Sequence, residues 1–249
     1  MNSTDNPKPF IEHLEDLRST LLKMGGVLIL SMVLCFVFVK KILSILYMPL
    51  KWAGLDPSLF LKVLGVADPF TLTLEVAFFA GLIFALPFIL YFLADFVLPA
   101  LTPDERKMLA PVFAAGTGLF AGGVAFCFFI ILPQALLFFF DFSKDLGFSP
   151  EWTIQSYISF TVQMLLAFGV AFELPLVILA LAKLGLVDAP FLRAYRRHAV
   201  VLIVVAAAII TPTSDLFTLL LMATPMWVLY EICIFLCRWI KKRDDIYSV

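Results

Sequence analysis

A single carboxylate interrupts one of the longest apolar stretches of the chain. In LLAFGVAFELPLVILALA, residues 165–182, Glu173 is the only charged side chain. It lies about ten residues before Lys183, so a helix would place it about 15 Å from that lysine and near the middle of a bilayer. An ionised carboxylate facing lipid at this depth would cost several kcal/mol. Glu173 is therefore either a neutral acid bonded to its own helix or part of a polar groove in the membrane, and we favour the groove.

Two further groups of carboxylates lie outside the apolar stretches. The first, in EHLEDLR, consists of Glu12, Glu15 and Asp16, with Arg18 beside them. The second, in PALTPDERK, consists of Asp104 and Glu105. Neighbouring carboxylates at a membrane surface suit guanidinium groups, which they can bind through two hydrogen bonds. The order Thr102-Pro103-Asp104-Glu105 is also typical of a helix start, and spacing alone favours this capping role.

No catalytic or metal-binding pattern accompanies these carboxylates. The histidines, His13 and His198, lie at predicted span ends, and the chain has no HExxH, Walker A or GxGxxG sequence. Paired aspartates within a span are also absent from the sequence. The cysteines, none of them in a CxxC pair, are Cys35, Cys127, Cys233 and Cys237. We therefore expect no enzymatic activity, no metal and no other cofactor.

The composition is that of an all-α integral membrane protein. Hydrophobic residues make up 62% of the chain and charged residues 15%, whereas soluble domains are about 45–50% apolar and about 25% charged. The apolar runs are too long for the strands of a membrane barrel. The first residues, MNSTDNPKPFIEHLEDLRSTLLK, are polar and contain no early apolar region, which argues against a cleaved signal peptide.

Six membrane spans are predicted within one domain that covers residues 1–249. They are residues 21–39, 72–98, 108–132, 154–182, 198–211 and 215–236. The third span is ended near Leu132 because Pro133 is a natural helix stop. In the fourth, Pro175 weakens the helix beside Glu173.

The fifth and sixth helices are expected to be short. The fifth apolar stretch, Ala199 to Ile210, would cover only about 18 Å of a hydrocarbon core about 30 Å thick. Asp215 and Ser214 follow it and can accept hydrogen bonds from the N–H groups that open the sixth helix.

The distribution of lysine and arginine predicts that both termini are cytoplasmic. With the termini inside, thirteen of the 18 Lys and Arg residues lie on the cytoplasmic side and five on the external side. The first external loop, residues 40–70, has apolar residues at helical spacing and is expected to form a cap on the outer interface.

Five motifs in order resemble the twin-arginine translocase subunit TatC. They are FIEHLEDLRSTLL, LPALTPDERK, AFGVAFELPLVI, ITPTSD and PMWVLYEI, and the resemblance runs from about Phe10 to Trp239. It implies a cupped, glove-like bundle of six helices. It also implies a receptor in the bacterial inner membrane that binds twin-arginine signal peptides of folded proteins and works with TatA and TatB, driven by the protonmotive force.

The resemblance also implies roles for particular residues. The signal-peptide site would contain Glu105, Phe96, and the family's ELR element, which falls on Asp16, Leu17 and Arg18, with Glu15 beside it. Glu173 would lie on the concave face, where a signal peptide or partner helix meets it. The partner-docking positions would be Thr211, Asp215 and Leu219, the last of these an apolar residue where the family has glutamine.

Two other functions remain open from the residues alone. One is a secondary transporter that uses Glu173 as its proton-coupled carboxylate, although such proteins often contain inverted repeats and paired broken helices, and only one Glu–Pro site is present. The other is a structural membrane scaffold, which would leave the two acidic cytoplasmic sites unexplained. No nucleic-acid partner is expected.

Overall fold

The computed structural model describes residues 10–97, 103–183, 187–211, 213 and 215–247, and nearly all of them are helical. The helices are α1 Phe10–Val37, α2 Val39–Leu46, α3 Met48–Trp52, α4 Pro57–Phe60, α5 Asp68–Val97, α6 Pro103–Phe126, α7 Leu132–Asp145, α8 Ile154–Ala171, α9 Leu174–Lys183, α10 Ala189–Ala194, α11 Arg196–Ile210 and α12 Leu216–Tyr247. A π-helical turn, Cys127–Ile131, joins α6 to α7, and two short strands are β1 Leu61–Lys62 and β2 Trp152–Thr153.

Long apolar helices make this a multi-pass membrane protein. Among the described residues, five segments are long and apolar enough to cross a bilayer: Leu14–Val37, Asp68–Phe96, Phe113–Asp145, Ile154–Ala182 and Leu216–Arg238. The fifth predicted span, residues 198–211, corresponds to α11, which has 15 residues and is the short helix that was expected. Consecutive spans run in opposite directions. The start of α1 and the end of α12 therefore share one side of the bundle, the terminal side, and α2–α4 lie on the other, the cap side.

The third span continues past Pro133, so the prediction that it ends near Leu132 is wrong. Pro133 is the second residue of α7, directly after the π-helical turn. In that turn the N–H of Leu132 donates to the carbonyl of Cys127, five residues back, instead of the usual four. The wider turn accommodates the proline, which lacks an N–H, without ending the helix.

The fourth span is divided beside Glu173, where the sequence predicted a weakness. Helix α8 ends at Ala171 and α9 begins at Leu174, with Pro175 as its second residue. The Glu173 N–H donates to the Val170 carbonyl at 3.0 Å, and the Glu173 carbonyl accepts from the Val177 N–H at 3.1 Å. These bonds carry the chain through a tight helical turn without an extended linker.

The sixth helix extends further than predicted. Its apolar part, Leu216–Arg238, has 23 residues, and α12 continues to Tyr247. The segment beyond Arg238 is rich in Lys, Arg and Asp, which are compatible with a helix that has left the bilayer.

Three glycines allow helices to approach closely. A Cβ at Gly81 of α5 would lie 2.8 Å from the Met32 backbone of α1, and one at Gly123 of α6 would lie 2.6 Å from the Phe168 carbonyl of α8. A Cβ at Gly169 would collide with the Phe120 ring. The span interfaces α1–α5 and α6–α8 therefore depend on the absence of a side chain at these positions.

The cap side is built from short helices that pack on the bundle, in agreement with the predicted helical cap. Leu50 of α3 is fully buried, and Trp52 packs against Phe128 and Phe129 of the π-helical turn, with ring centroids 5.5 and 5.4 Å apart. The Tyr157 hydroxyl of α8 donates to the Leu46 carbonyl at 2.6 Å. The cap is thereby fixed to the third and fourth spans.

Two features complete the cap side. Strands β1 and β2 form a parallel pair, with Leu61 opposite Trp152 and Lys62 opposite Thr153. Asp56 caps α4, because the Ser58 hydroxyl donates to it at 2.8 Å and the Ser58 N–H at 2.9 Å. These two hydrogen bonds lower the pKa of Asp56.

Beyond the π-helical turn, aromatic rings connect α7 to α12. Phe138 stacks on Phe217 with ring centroids 3.6 Å apart, and Phe142 stacks on Phe138 at 5.8 Å. Phe139 meets the same Phe217 ring edge-on. Helix α7 is therefore attached to the start of the sixth span.

Candidate functional site

Glu173 lies at the break between α8 and α9 and faces α6. A Cβ at Gly116 of α6 would lie 3.3 Å from Oε2 of Glu173 and 2.9 Å from Cδ2 of Leu176. A side chain at Gly116 would press on the carboxylate, so the glycine gives the carboxylate room beside α6. The broken helix and the glycine together position this acid between two spans.

Within the described part of the chain, the Glu173 carboxylate has no hydrogen-bond partner. Both of its oxygens are buried, and the buried hydroxyl of Thr117, next to Gly116, also lacks a partner there. The interpretation of Glu173 as a helix-bonded acid is therefore not supported. On the same face of the span, Val170 and Val177 are exposed, so this polar position borders an open apolar surface. A buried polar group without a partner marks a position where a ligand, a water molecule or a second chain can complete the hydrogen bonding.

The terminal side carries the residues that the resemblance assigns to signal-peptide binding. In α1, Glu15, Leu17 and Arg18 are exposed and Asp16 is half-buried. Phe96 is half-buried near the end of α5, which packs along α1. The start of α1 and the end of α5 thus lie at one end of a packed helix pair.

The acidic loop after the second span is described only in part. Residues 98–102 lie outside the described residues, as do the side chains of Glu12 and of residues 103–112. The backbone of Glu105 is the third residue of α6, so it lies in the first turn of that helix, as its helix-start sequence predicted.

The turn between the fifth and sixth spans is held together by hydrogen bonds. Asp215 accepts the Thr218 N–H at 2.8 Å and the Thr218 hydroxyl at 2.6 Å, which confirms its capping role. Thr213 shares a hydrogen bond of 2.6 Å with the same hydroxyl. Ser214, the other predicted cap, lies outside the described residues.

The predicted partner-docking residues lie on both sides of that turn. Thr211 is buried, and its N–H donates to the Ala207 carbonyl at 2.8 Å. Leu219 is half-buried, whereas its neighbours Leu216 and Leu220 are exposed. The cap-side ends of α11 and α12 therefore combine a compact polar turn with an open apolar surface.

Two polar pairs were not predicted as such. The Gln155 amide of α8 donates to Oε2 of Glu75 in α5, while the Gln155 carbonyl oxygen is buried without a partner in the described residues. Near the terminal side, Arg196 donates to Glu231 at 2.6 Å and thereby ties α11 to α12. In the sequence, these pairs were indicated only by Glu75 and Glu231, two acidic residues inside predicted spans.

Among the described residues, no three His, Cys, Asp or Glu side chains form a group that could hold a metal ion. Cys35, Cys127, Cys233 and Cys237 are buried free thiols. The polar chemistry of the described chain is therefore that of carboxylates, hydroxyls and amides placed at helix breaks and ends.

Known proteins resemble this chain over most of its length. Residues 12–225 match the family model described as Sec-independent protein translocase protein (TatC). The chain belongs to the TatC family. It is thus a component of the Sec-independent, twin-arginine translocase, a non-enzymatic protein-transport system that implies partner subunits.

Individual TatC relatives span bacteria and plants. The Carboxydothermus hydrogenoformans protein is 35% identical over 96% of this chain and 97% of its own length. The Akkermansia muciniphila protein is 46% identical over 74% of this chain, which spans 54% of that relative. The chloroplastic protein of Pisum sativum is 35% identical over 91% of this chain and 63% of its own length.

A solved TatC structure shares the fold. The crystal structure titled Twin Arginine Translocase Receptor TatC is 34% identical to this chain and superimposes with a TM-score of 0.79. The superposition covers 91% of this chain and 98% of the chain in that crystal structure. The broken fourth span and the short fifth helix therefore belong to a chain whose overall architecture is that of TatC.

Proposed function

We propose that this protein is the receptor subunit of the translocase and binds twin-arginine signal peptides at its terminal side. That side would face the cytoplasm of a bacterium, with both termini inside and the spans in the inner membrane, as the Lys and Arg distribution favours. The protonmotive force would drive transport by the assembled complex.

The observation that supports this proposal is the position of acidic residues and Phe96 near one end of the α1–α5 pair. Glu15 and Asp16 lie near the start of α1, and Phe96 lies near the end of α5. The backbone of Glu105 follows in the first turn of α6. Carboxylates at such a surface can bind the planar guanidinium of arginine bidentately, which a lysine ammonium does not reproduce.

Glu173 supports a second contact, deeper in the membrane. Its buried carboxylate lacks a partner within the described chain and borders exposed Val170 and Val177. A hydrogen-bond donor from the signal peptide or from a partner helix would satisfy it. Recognition would then combine a charged contact at the surface with one polar contact in an apolar groove.

The single-span subunits TatA and TatB would dock along α11 and α12. Thr211, Asp215 and Leu219 lie at the cap-side ends of these helices, where Leu216 and Leu220 expose apolar surface. A helix of 15 residues covers about 22 Å, less than the hydrocarbon thickness of about 30 Å. An adjacent partner helix would cover the mismatch.

The decisive experiment measures binding of a twin-arginine signal peptide to the purified protein in detergent. A twin-lysine peptide and the variant Glu105→Gln, which keeps the side-chain shape, should each weaken binding about tenfold to a hundredfold, because each loses a charged hydrogen bond worth about 1.5–3 kcal/mol. Asp104→Asn is the matched control and should bind normally. Equal affinity for both peptides, with no loss in Glu105→Gln, would overturn the receptor assignment.

A proton-coupled transporter is the second candidate, favoured by Glu173, which lies at a broken helix and has no hydrogen-bond partner among the described residues. Its test is proton flux in liposomes that contain this chain alone. Flux that disappears in Glu173→Gln would support a transporter. Absence of flux, together with signal-peptide binding, would leave the receptor as the function.

A further inference from the structure

An apolar loop on the cap side projects from the protein. The segment Val63-Leu64-Gly65-Val66-Ala67, here called the apolar tip, connects β1 to α5. Leu64 is 77% exposed and Val66 is fully exposed, although neither lies in a membrane span. No charged residue occurs between Lys62 and Asp68. Three large apolar side chains, those of Val63, Leu64 and Val66, are thus presented outward together.

The apolar tip has a fixed shape. The Gly65 N–H donates to Oδ2 of Asp68 at 2.7 Å, and the Asp68 N–H donates to the Gly65 carbonyl at 3.2 Å. A Cβ at Gly65 would collide with the Asp68 carboxylate. Gly65 therefore faces inward against the start of α5, which leaves Leu64 and Val66 pointing away from it.

The apolar tip lies beside the starts of two spans. It ends immediately before Asp68, the first residue of the second span, and it begins after β1. Strand β1 pairs with β2, which ends immediately before Ile154, the first residue of the fourth span. The tip is therefore held, through α5 and the β1–β2 pair, beside the starts of the second and fourth spans. Phe70, in the first turn of α5, is also exposed.

Basic residues accompany this apolar surface. The segment from Phe38 to Ala67 contains four lysines, Lys40, Lys41, Lys51 and Lys62, and a single acidic residue, Asp56. The Asp56 carboxylate accepts both hydrogen bonds from Ser58. Lys62 is exposed and directly precedes the tip. An apolar surface bordered by lysine is the arrangement that binds a phospholipid interface with anionic headgroups.

We propose that the apolar tip inserts into the cap-side leaflet, with Lys62 on the phosphates of anionic headgroups. The tip would thereby anchor the start of the second span to the membrane through residues that precede α5. Leu64 and Val66 would occupy the boundary between headgroups and acyl chains. The lysine would extend its apolar stem along the tip and keep its ammonium among the headgroups.

Spin-label accessibility in lipid nanodiscs tests the insertion. A nitroxide would be attached to Val66→Cys in a variant whose four buried native cysteines are replaced by alanine, and its collisions with oxygen and with a water-soluble nickel chelate compared. Phe84→Cys, exposed within the second span, is the lipid reference, and Glu151→Cys, exposed beside β2, is the water reference.

The expected result is an oxygen-to-nickel collision ratio several times that of Glu151→Cys and close to that of Phe84→Cys. Leu64→Cys should give the same result, which guards against a local effect of one label. A ratio at both tip positions equal to that of Glu151→Cys would overturn the insertion. Because the nanodisc contains no other subunit of the translocase, that outcome would redirect the surface to a protein partner.

The headgroup contact is tested in the same nanodiscs with and without phosphatidylglycerol. The Val66 label should lie deeper when phosphatidylglycerol is present, and Lys62→Gln should abolish the difference. Lys51→Gln is the matched control in the same loop and should retain most of it. A label depth that depends on neither lipid charge nor Lys62 would overturn the anionic contact.

Discussion

Glu173 and Glu231 both lie within membrane spans, but their carboxylates differ in burial and in hydrogen bonding. Glu231 of α12 accepts a hydrogen bond from the Arg196 guanidinium at 2.6 Å. Both side chains are partly exposed, Glu231 to 30% and Arg196 to 49%. Glu173 lies at a helix break with both oxygens buried and no partner among the described residues. One acid is satisfied within the chain, and the other has no partner in the part of the chain that the structure describes.

This difference separates two uses of the same residue type in a membrane protein. An ion pair between adjacent helices near the surface contributes little stability, because water screens it. A buried acid without a partner lowers stability and is retained where binding or transport needs it. The two regions therefore predict opposite responses to mutation.

The largest expected effect comes from Glu173→Leu. Export of a twin-arginine reporter should fall to background in cells that depend on this chain, because the groove loses its carboxylate. The purified variant should nevertheless be more stable by about 1–3 kcal/mol, since a buried unsatisfied group has been removed. Export and the free energy of unfolding would be measured side by side. A variant that exports normally, or that unfolds more easily, would contradict this account.

Gly123→Ala should have the next largest effect, on the interface that supports Glu173. Its Cβ would meet the Phe168 carbonyl at 2.6 Å and the Phe172 side chain at 2.7 Å, so α6 and α8 must separate. We expect a loss of about 1–3 kcal/mol in the free energy of unfolding.

Gly122→Ala is the matched control for that measurement. Nothing lies within 4 Å of a Cβ there, and the change gains the same helix propensity. Gly122→Ala should therefore be neutral or slightly stabilising. Equal stabilities for the two variants would show that the close approach of α6 and α8 is not required.

Gly116→Ala should have a smaller effect on stability and a selective effect on Glu173. The added Cβ would press on the end of the Leu176 side chain and on the carboxylate, both of which can shift. We expect a loss on the order of 1 kcal/mol in the free energy of unfolding. The fraction of export lost should exceed that in Gly118→Ala, whose Cβ meets nothing. Identical export in both variants would show that the position of Glu173 is not critical.

The smallest effect is expected at the satisfied carboxylate. A double-mutant cycle with Arg196→Gln and Glu231→Gln should give a coupling of about 0.2–1 kcal/mol in the free energy of unfolding, reduced by salt. Export should stay near the wild-type level in both single variants. A coupling of several kcal/mol would remove the contrast between Glu231 and Glu173.

Sequence features that act locally were predicted successfully. The five long spans and the short fifth one follow from composition and length, and the weak point of the fourth span beside Glu173 follows from Pro175. The Asp215 cap follows from its position before an apolar run. In each case the relevant contacts lie within a few residues of one another along the chain.

Contacts between distant segments were not predictable in the same way. Gln155 and Glu75 are 80 residues apart, and only helix packing brings them together. Strands β1 and β2 pair with each other, but each has only two residues. Such a strand is too short to show the alternation of apolar and polar residues by which strands are predicted. At Pro133 a local rule failed, because a π-helical turn kept the apolar run helical. The signal-peptide role of Glu105 rests on resemblance to TatC, and the structure leaves it a prediction.

The π-helical turn at Cys127–Ile131 also sets the angular phase of the third span. An α-helix advances about 100° per residue, so one additional residue in a turn rotates everything after it by that angle. Before the turn, Phe120 and Gly123 face the fourth span, and after it Phe138 faces Phe217 of the sixth. A single-residue deletion inside the turn would rotate the second half of the span against the first. The span could then no longer pack against both the fourth and the sixth spans.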